Sequence, residues 1–214
     1  MPRLTARRSR SSGPMFGTKV GGGGATSAPS AIINTYATFD PAAKATNHTL
    51  SNGNLTITNA ATSVAGNTLV TMSKSSGKWY FEFSINTTGG SYHGGGLANS
   101  GSTRTAQPGS EGSVSGFWVR TDTHWYWNNS ESIIVGDFVS PNILGFALDV
   151  DARTLDLYKN NVFAANIPST QFPTGALYVM YGNGDATSYV ITANFGASAF
   201  SYTPPNGYNP GLYN

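Results

Sequence analysis

The chain of 214 residues contains no cysteine, and charged residues make up only 10% of it. Without cysteine, a disulfide framework, a thiolate metal site and a cysteine nucleophile are all excluded. Charged residues usually account for about a quarter of a soluble domain. Glycine, serine, threonine and asparagine are plentiful instead, a composition typical of many short strands joined by tight turns. These features argue against a long helical protein.

Long apolar runs, fixed-period repeats and heptads are also missing. No apolar stretch approaches the ~20 residues that span a membrane. The basic N-terminus lacks the apolar segment of a secretory signal. The absence of a repeat disfavours propellers and solenoids, and the absence of heptads disfavours a self-trimerising fibre shaft. We therefore predict a protein that is soluble and is not exported by a cleaved signal.

Residues 1–31 predict a basic, Gly/Ser-rich N-terminal arm that cannot bury enough surface to fold alone. The first nineteen residues carry five bases and no acid, whereas the rest carries seven bases and ten acids, a net charge of about −3. Such an arm suits nucleic acid, an acidic protein groove or another subunit; the alternative is a disordered tail. The candidate assembly anchors are Arg3, Arg7, Arg8, Arg10, Phe16, Lys19 and Val20.

Residues 32–214 are predicted to form one domain of antiparallel strands. In residues 77–86 the apolar side chains Trp79, Phe81, Phe83 and Ile85 alternate with polar ones, as in a strand with one buried face. Further strands are predicted at residues 114–121, 124–128, 143–150, 154–159, 176–181 and 188–195. Asn160 and Asn161 predict a tight hairpin turn. Two packed antiparallel sheets are the simplest architecture.

Four ordered motifs resemble those of the SPRY domain family. Residues 78–83, KWYFEF, resemble the "GKWYFE" strand of these domains, and residues 143–151, ILGFALDVD, resemble their "IGFALDLD" strand. Residues 154–160, TLDLYKN, resemble the following hairpin, and residues 193–208 resemble the closing segment with its Thr-Pro-Pro. The resemblance spans residues 36–208 and implies an all-β, two-sheet antiparallel sandwich of the SPRY/concanavalin A-like jelly-roll kind with an extended N-terminal arm.

The chain departs from the family pattern in its loops. Asn161 stands where a glycine usually follows the hairpin asparagine, and Pro141 and Asn142 stand where a Gly-Asp pair is usual. Low charge and many threonines and asparagines make the chain similar to the SPRY domains of bacteriophage structural proteins.

Carboxylate chemistry is weakly indicated. Asp149 and Asp151 would share a strand face, but a paired-carboxylate hydrolase needs two acids that converge across a sugar. The three glutamates stand far apart and lack the Glu-x-Asp-x-x-Glu strand of the concanavalin A-like glucanases. We predict turn-flanking, solvated aspartates and no enzymatic activity.

No cofactor or metal is predicted. His48, His93 and His124 show no ligand spacing and are predicted to be ordinary surface or half-buried histidines. Asp149, Asp151 and Asp156 offer oxygen ligands for Ca²⁺, but the Asp-x-Asp-x-Asp-Gly loop is absent. The glycine-rich tracts lack the Lys-Ser/Thr of a phosphate-binding loop.

Aromatic and loop residues are the candidates for binding a ligand. Residues 124–128 place Trp125 and Trp127 on one strand face and Tyr126 on the other; the two tryptophans are exposed binding residues or, alternatively, core residues. Residues 91–96 and 104–111 are polar and Gly-rich, and are predicted to be exposed loops. The candidate ligand-binding residues are Tyr92, His93, Arg104, Trp125, Tyr126 and Trp127.

Three functions are consistent with the sequence. The first is a virion structural protein, anchored by its arm to a capsid or tail assembly and displaying the sandwich for decoration or for recognition of a host-surface glycan or protein. The second is a soluble protein- or peptide-binding module with a disordered tail. The third, ranked last, is a carbohydrate-active enzyme. The first predicts other virion proteins as partners of an oligomeric assembly, and predicts nucleic-acid contact only through the arm.

Overall fold

A computed structural model describes residues 34–60, 64–111, 116–133, 138 and 140–214. The predicted arm and its candidate anchors, Arg3, Arg7, Arg8, Arg10, Phe16, Lys19 and Val20, lie outside the described residues. The described part is nearly all β, with two short 3-10 turns at Pro41–Ala43 and Ser169–Gln171. No helix in these residues is long and apolar enough to cross a membrane.

Two antiparallel sheets form the domain, which confirms the predicted sandwich class. Sheet 1 has the order β1-β2-β13-β4-β9-β10-β11, with β14 parallel to β4, and sheet 2 has the order β3-β12-β5-β6-β7-β8. The strands of sheet 1 are β1 His48–Ser51, β2 Thr56–Asn59, β4 Lys78–Thr88, β9 Asn142–Asp149, β10 Thr154–Lys159, β11 Val162–Ile167, β13 Tyr189–Asn194 and β14 Asn209–Pro210. The strands of sheet 2 are β3 Gly66–Lys74, β5 His93–Ala98, β6 Phe117–Arg120, β7 His124–Trp127, β8 Ser130–Ile133 and β12 Leu177–Asn183.

All seven strands predicted from alternation are present, as β4, β6, β7, β9, β10, β12 and β13, and the predicted hairpin joins β10 to β11. Strands β1, β2, β3, β5, β8 and β14 were not predicted. Most of these are short or polar, and β5 is rich in glycine. Their pairing depends on neighbouring strands, not on a local apolar pattern.

The core between the sheets is built on aromatic rings. Phe83, on β4, contacts Phe146 of β9 edge to face at 5.3 Å and Tyr181 of β12 at 5.2 Å. Phe39 stacks on Phe83 at 6.4 Å. Phe81, Phe83 and Ile85 are buried as the alternation predicts. Such ring contacts stabilise a core beyond the area that they bury.

The middle of the outer face of β4 is not solvated, contrary to the simple alternation. Tyr80 and Glu82 are both only 2% exposed. The Glu82 carboxylate accepts hydrogen bonds from the backbone N–H groups of Ser201 (2.9 Å) and Tyr202 (3.0 Å) and from the Tyr80 hydroxyl (3.1 Å). A C-terminal segment therefore lies over this face and satisfies the buried carboxylate, a contact between residues far apart in the sequence.

The prediction that residues 91–96 form an exposed loop is wrong for residues 93–96. Strand β5 lies inside sheet 2, between β12 and β6, and all six of its residues are buried. A Cβ atom at Gly95 would stand 2.6 Å from the Phe83 ring, and one at Gly96 would overlap the Phe117 carbonyl oxygen. The glycines are needed because neighbouring groups approach the strand closely.

His48 and His93 are fully buried, so the prediction of surface or half-buried histidines is also wrong for these two. His48 lies 2.7 Å from the Thr68 hydroxyl and 3.0 Å from Asn183 Oδ1. His93 lies 2.8 Å from the Tyr181 hydroxyl and stacks on a tyrosine ring of β13. Polar partners on other strands make burial possible for both imidazoles.

Candidate binding surface

Strand β7 divides its aromatic residues between two faces. Trp125 pairs with Val119 and Trp127 with Phe117, and both tryptophans are half-buried against the main core. Tyr126 pairs with Trp118 on the opposite face, in a second apolar cluster outside sheet 2. The predicted alternation is therefore present. The structure favours the alternative that the two tryptophans contribute mainly to the core.

Arg120, at the end of β6, binds several side chains on the outer face of sheet 2, although the sequence analysis did not identify it as a candidate. Its side chain is only 4% exposed. It forms an ion pair with Asp122, whose Oδ1 accepts from Nε at 2.9 Å, and Glu131 Oε2 accepts from Nη1 at 2.9 Å. The guanidinium also lies 3.9 Å from the centre of the Tyr92 ring. We call Tyr92, Arg120, Asp122, Tyr126 and Glu131 the Arg120 cluster.

Within the Arg120 cluster, Arg120 and Asp122 stay ionised at neutral pH. Burial opposes the charge of Arg120, but the hydrogen bond and the charge of Asp122 outweigh it and raise the pKa of the guanidinium. Burial likewise opposes ionisation of Asp122, yet the Arg120 guanidinium lowers the pKa of that carboxyl. One cation between two carboxylates leaves the cluster with a net negative charge. The exposed member of this pair of acids is Glu131, whose side chain is 52% exposed.

Residues 104–111, in the β5–β6 loop, lie against the same face, and the prediction that they are not buried is wrong in part. Pro108 and Gly109 are buried, and a Cβ atom at Gly109 would contact the Tyr126 ring. Asn67 holds the loop by donating from Nδ2 to the carbonyl oxygens of Thr103 (2.8 Å) and Ala106 (3.2 Å). The loop is thus a fixed support for the Arg120 cluster.

Arg104 forms its hydrogen bond within this loop. Its side chain is half-buried and donates from Nη2 to the carbonyl oxygen of Ser102 at 2.5 Å. Burial lowers the pKa of its guanidinium. A side chain that satisfies its own loop is a poor candidate for the first contact with a ligand.

The six predicted ligand-binding residues therefore separate into groups. Tyr92 and Tyr126 belong to the Arg120 cluster, and both are half-buried with part of each side chain accessible. Trp125 and Trp127 lie on the other face of β7. His93 is buried and, as a correction, is not accessible to a ligand, while Arg104 anchors its loop. The predicted set is not one site.

Sequence reasoning missed Arg120, Asp122 and Glu131. A signal was present: in β6 the order Phe117, Trp118, Val119, Arg120 alternates, so Arg120 shares the face of Trp118 and, across the ladder, of Tyr126. An arginine within a strand that is otherwise apolar, in a chain with few charged residues, indicates a buried ion that is paired with an acid. Glu131, eleven residues away, is revealed only by the β7–β8 pairing.

Asp149 and Asp151, the aspartates considered for carbohydrate hydrolysis, each bind other groups of the protein. Asp149 forms an ion pair with Lys78 at 2.9 Å and accepts from the Ala152 N–H at 2.9 Å. Burial opposes its ionisation, but these donors lower its pKa. Asp151 accepts from the Gly77 N–H at 3.1 Å. Among the described residues, no group of three or more histidine, aspartate or glutamate side chains is placed to hold a metal ion.

Comparison with known proteins identifies the fold of the described part of the chain. No protein-family profile matches the chain, and no curated protein matches it in sequence. Among solved structures, the SPRY domain of human HERC1 matches with a TM-score of 0.61 and 18% identity, over 72% of this chain and 96% of that one. The TRIM65 PSpry domain matches with a TM-score of 0.59 and 17% identity, over 75% and 92%.

A third structure, stonustoxin, matches with a TM-score of 0.57 and 20% identity, over 75% of this chain but only 27% of the toxin chain. At such identities the likeness establishes the fold and nothing finer. The described part of the chain has a SPRY-like fold, which confirms the resemblance drawn from the motifs. The similarity to SPRY domains of bacteriophage structural proteins stays a prediction.

Proposed function

We propose that this chain is a non-enzymatic binding protein whose SPRY-like sandwich contacts a protein partner through the Arg120 cluster. The observation that carries the proposal is the pair of half-buried tyrosines, Tyr92 and Tyr126, beside the buried Arg120 on sheet 2. Tyrosine is enriched at the energetic centres of protein interfaces. Because the Tyr92 ring packs on a guanidinium that two carboxylates fix, little side-chain entropy is lost when a partner binds. The structural partners of Asp149 and Asp151 support a non-catalytic role.

We further propose that the protein is a virion component, anchored by residues 1–31 to a capsid or tail assembly, with the sandwich displayed for decoration or for contact with the host surface. The charge asymmetry of the sequence supports this proposal: five bases without an acid precede a body with a net negative charge. An acidic groove or a neighbouring subunit is the natural partner of such an arm. The proposed location is the virion, with other virion proteins as partners.

The test is a quantitative mass-spectrometric inventory of purified virus particles containing the full chain or a chain that lacks residues 1–31. We expect the full chain at a fixed copy number and the truncated chain to be absent from particles. The truncated chain must melt at the same temperature as the full chain, which separates loss of anchoring from loss of folding. If neither chain is in particles, the virion proposal is wrong.

The surface itself is tested with Tyr92→Ala and Tyr126→Ala, and with Phe163→Ala as an exposed aromatic control on sheet 1. A photo-crosslinking residue at position 129, beside the cluster, should yield one defined protein adduct in the native assembly. Both tyrosine variants should reduce the adduct at least fivefold, while the control retains it. The second candidate function, a soluble protein- or peptide-binding module, predicts the same adduct outside any particle.

A further inference from the structure

A concave site lies on the outer face of sheet 1, the opposite side of the sandwich from the Arg120 cluster. It is a shallow cleft of about 530 Å³ at the end of strand β4 and the beginning of β9. Pockets of ~300–1,000 Å³ suit small organic ligands. We call it the asparagine cleft, and its principal lining residues are Ser84, Asn86, Asn142, Ile143, Asn160 and Tyr202.

The side-chain amides of the asparagine cleft are held in place by the fold. Asn86 donates from Nδ2 to the Thr192 hydroxyl at 2.9 Å. Asn160 accepts from the Ile143 N–H at 2.9 Å and donates from Nδ2 to Asn142 Oδ1 at 2.7 Å. An amide group has two donor hydrogens and a carbonyl acceptor. After these contacts, Asn86 retains Oδ1, and Asn160 one Nδ2 hydrogen, for a ligand, as judged from the described residues.

Tyr202 forms one wall of the cleft. The backbone N–H groups of Ser201 and Tyr202 donate to the buried Glu82 carboxylate. These hydrogen bonds fix the backbone of Tyr202 against β4. Its side chain is half-exposed, and its hydroxyl has no hydrogen-bond partner in the described part of the chain. The ring therefore offers a rigid apolar face with a polar edge.

The lining also excludes some classes of ligand. None of the described residues that line the cleft carries a formal charge, so none of them compensates the charge of a phosphate or a carboxylate. Strands β4 and β9 lie inside sheet 1, each paired on both sides. The backbone at the floor is thus already hydrogen-bonded, and an extended peptide cannot bind there as an additional strand.

We propose that the asparagine cleft binds a neutral saccharide. Sugar hydroxyls donate and accept hydrogen bonds, as do the amide groups of Asn86 and Asn160 and the hydroxyls of Ser84 and Tyr202. The Tyr202 ring stacks on the apolar C–H face of a pyranose. This inference builds on the displayed-domain part of the proposed function, because it names one ligand class for the exposed sandwich. It is independent of the Arg120 cluster, which lies on the other sheet.

The test uses the full chain produced in a bacterium, so that the Asn86-Thr87-Thr88 sequon carries no glycan. The probes are lactose, maltose and chitobiose, with 3′-sialyllactose as a charged comparison, each measured by saturation-transfer NMR and calorimetry. We expect at least one neutral disaccharide to bind with a Kd of about 0.1–1 mM, corresponding to a weak single-site contact. The sialylated sugar should bind no better than lactose.

Three variants and a control locate the site. Tyr202→Ala and Asn86→Ala should each weaken binding about tenfold, and Tyr202→Phe, which keeps the ring, about threefold or less. Tyr178→Ala, a half-buried tyrosine on the outer face of sheet 2, should change the Kd less than twofold. Asn86 is exposed, so its variant should retain the native melting temperature and is informative even if Tyr202→Ala folds poorly.

The proposal is overturned if no neutral disaccharide binds, if the sialylated sugar binds more tightly, or if Asn86→Ala leaves an observed affinity unchanged. Its failure is distinguishable from failure of the proposed function. A protein that is particle-bound but does not bind sugar refutes only the cleft. A sugar-binding protein absent from particles refutes only the virion anchor.

Discussion

Arg120 shows how one residue can fix the geometry of a surface. Its guanidinium is nearly inaccessible to solvent, yet it has an ionic partner on each of two sides and an aromatic ring against its plane. A buried charge is tolerated only when it is paired and hydrogen-bonded. Removing the guanidinium therefore leaves Asp122 without its main partner and Tyr92 without its support.

We predict that Arg120→Met lowers the free energy of unfolding by about 2 kcal/mol, the magnitude of lost charge-assisted hydrogen bonds. Urea denaturation at pH 7 measures the change. Glu131→Gln is the matched control: since the Glu131 side chain is half-exposed, its variant should cost less than about 1 kcal/mol. An Arg120→Met protein as stable as the parent would show that the ion pairs contribute nothing.

His48 and His93 lie in one polar region of the core, linked through Tyr189, which contacts both rings. Burial lowers the pKa of His48 to about 4, against a smaller opposing effect of its hydrogen bond to Asn183. Burial also lowers the pKa of His93 to about 4. Both imidazoles are consequently neutral in the folded protein at neutral pH.

The pH dependence of stability follows from these pKa values. In the unfolded chain both histidines take up protons near pH 6.5, whereas in the folded protein they do so only near pH 4. Between these values the unfolded state binds more protons, so stability falls as the pH is lowered from 6.5 to 4. The expected loss is on the order of 3 kcal/mol for each histidine.

Urea midpoints measured at pH 7.5, 6, 5 and 4.5 would test this. His93→Gln removes one of the two groups and should make the decline shallower by about half. A midpoint independent of pH above 4.5 in the parent protein would contradict the assignment of two buried, neutral histidines.

At the scale of the element, β5 depends on glycine for close packing. Gly95 faces the rings of Phe83 and Phe146, with no space for a Cβ atom. Valine usually favours strands, so a propensity scale predicts that Gly95→Val is tolerated. Packing predicts the opposite.

We predict that Gly95→Val lowers the free energy of unfolding by about 3 kcal/mol because overpacking displaces the Phe83 ring. Gly95→Ala should cost less, about 1–2 kcal/mol, because only one methyl group must be accommodated. Thermal unfolding compares the two variants with the parent. Equal melting temperatures for all three would mean that the space beneath β5 is larger than the structure shows.

The β10–β11 hairpin turns on two asparagines in the left-handed region, Asn160 at φ 48° and Asn161 at φ 67°. Two positive φ values in a two-residue turn match the twist of the flanking strands. Asn161 thus replaces the glycine expected from the family motif without changing the turn, because asparagine adopts this conformation more readily than other side chains.

Asn161→Val should lower the free energy of unfolding by about 1–2 kcal/mol, since a β-branched residue is strained at this φ. Asn161→Gly should leave it unchanged within about 0.5 kcal/mol. Chemical denaturation of both proteins provides the comparison, and Thr49→Val, at an exposed strand position, controls for adding valine. A tolerated Asn161→Val would contradict the left-handed turn.

At the scale of the whole molecule, residues near the two ends of the domain contact each other beside the core. Leu212 is 1% exposed and belongs to the main core. Its carbonyl oxygen accepts from the Ala37 N–H at 2.8 Å, and its N–H donates to the Phe195 carbonyl at 2.8 Å. Tyr213 packs edge to face on Tyr36 at 5.5 Å. Leu212 is thus part of the core, and Tyr213 connects the C-terminal segment to Tyr36.

Leu212→Ala should lower the free energy of unfolding by about 3 kcal/mol, the usual cost of truncating a buried leucine. Asn214→Ala, an exposed neighbour, should be neutral within about 0.5 kcal/mol. Guanidinium denaturation distinguishes the two. Similar stabilities would place Leu212 outside the cooperative core.

The sequence alone determined the fold class and the central strands. Alternation in residues 77–86 and the SPRY-like motifs are local signals, because the side chains of a strand point to opposite faces with a period of two. The hairpin was predictable for the same reason: the conformation that Asn160 and Asn161 favour depends little on distant residues. The separation of Trp125 and Trp127 from Tyr126 also follows from local alternation.

The tertiary structure alone decided which polar and glycine-rich segments are buried. β5 is rich in glycine and has no apolar alternation, yet it becomes a central strand because β12 and β6 pair with it and Phe83 packs against Gly95. Arg120 meets Glu131, and Glu82 meets Tyr202, through strand pairing and chain crossing that no local pattern encodes. Burial of a polar group depends on whether distant parts of the chain supply its hydrogen bonds, so both the Arg120 cluster and the asparagine cleft required the assembled fold.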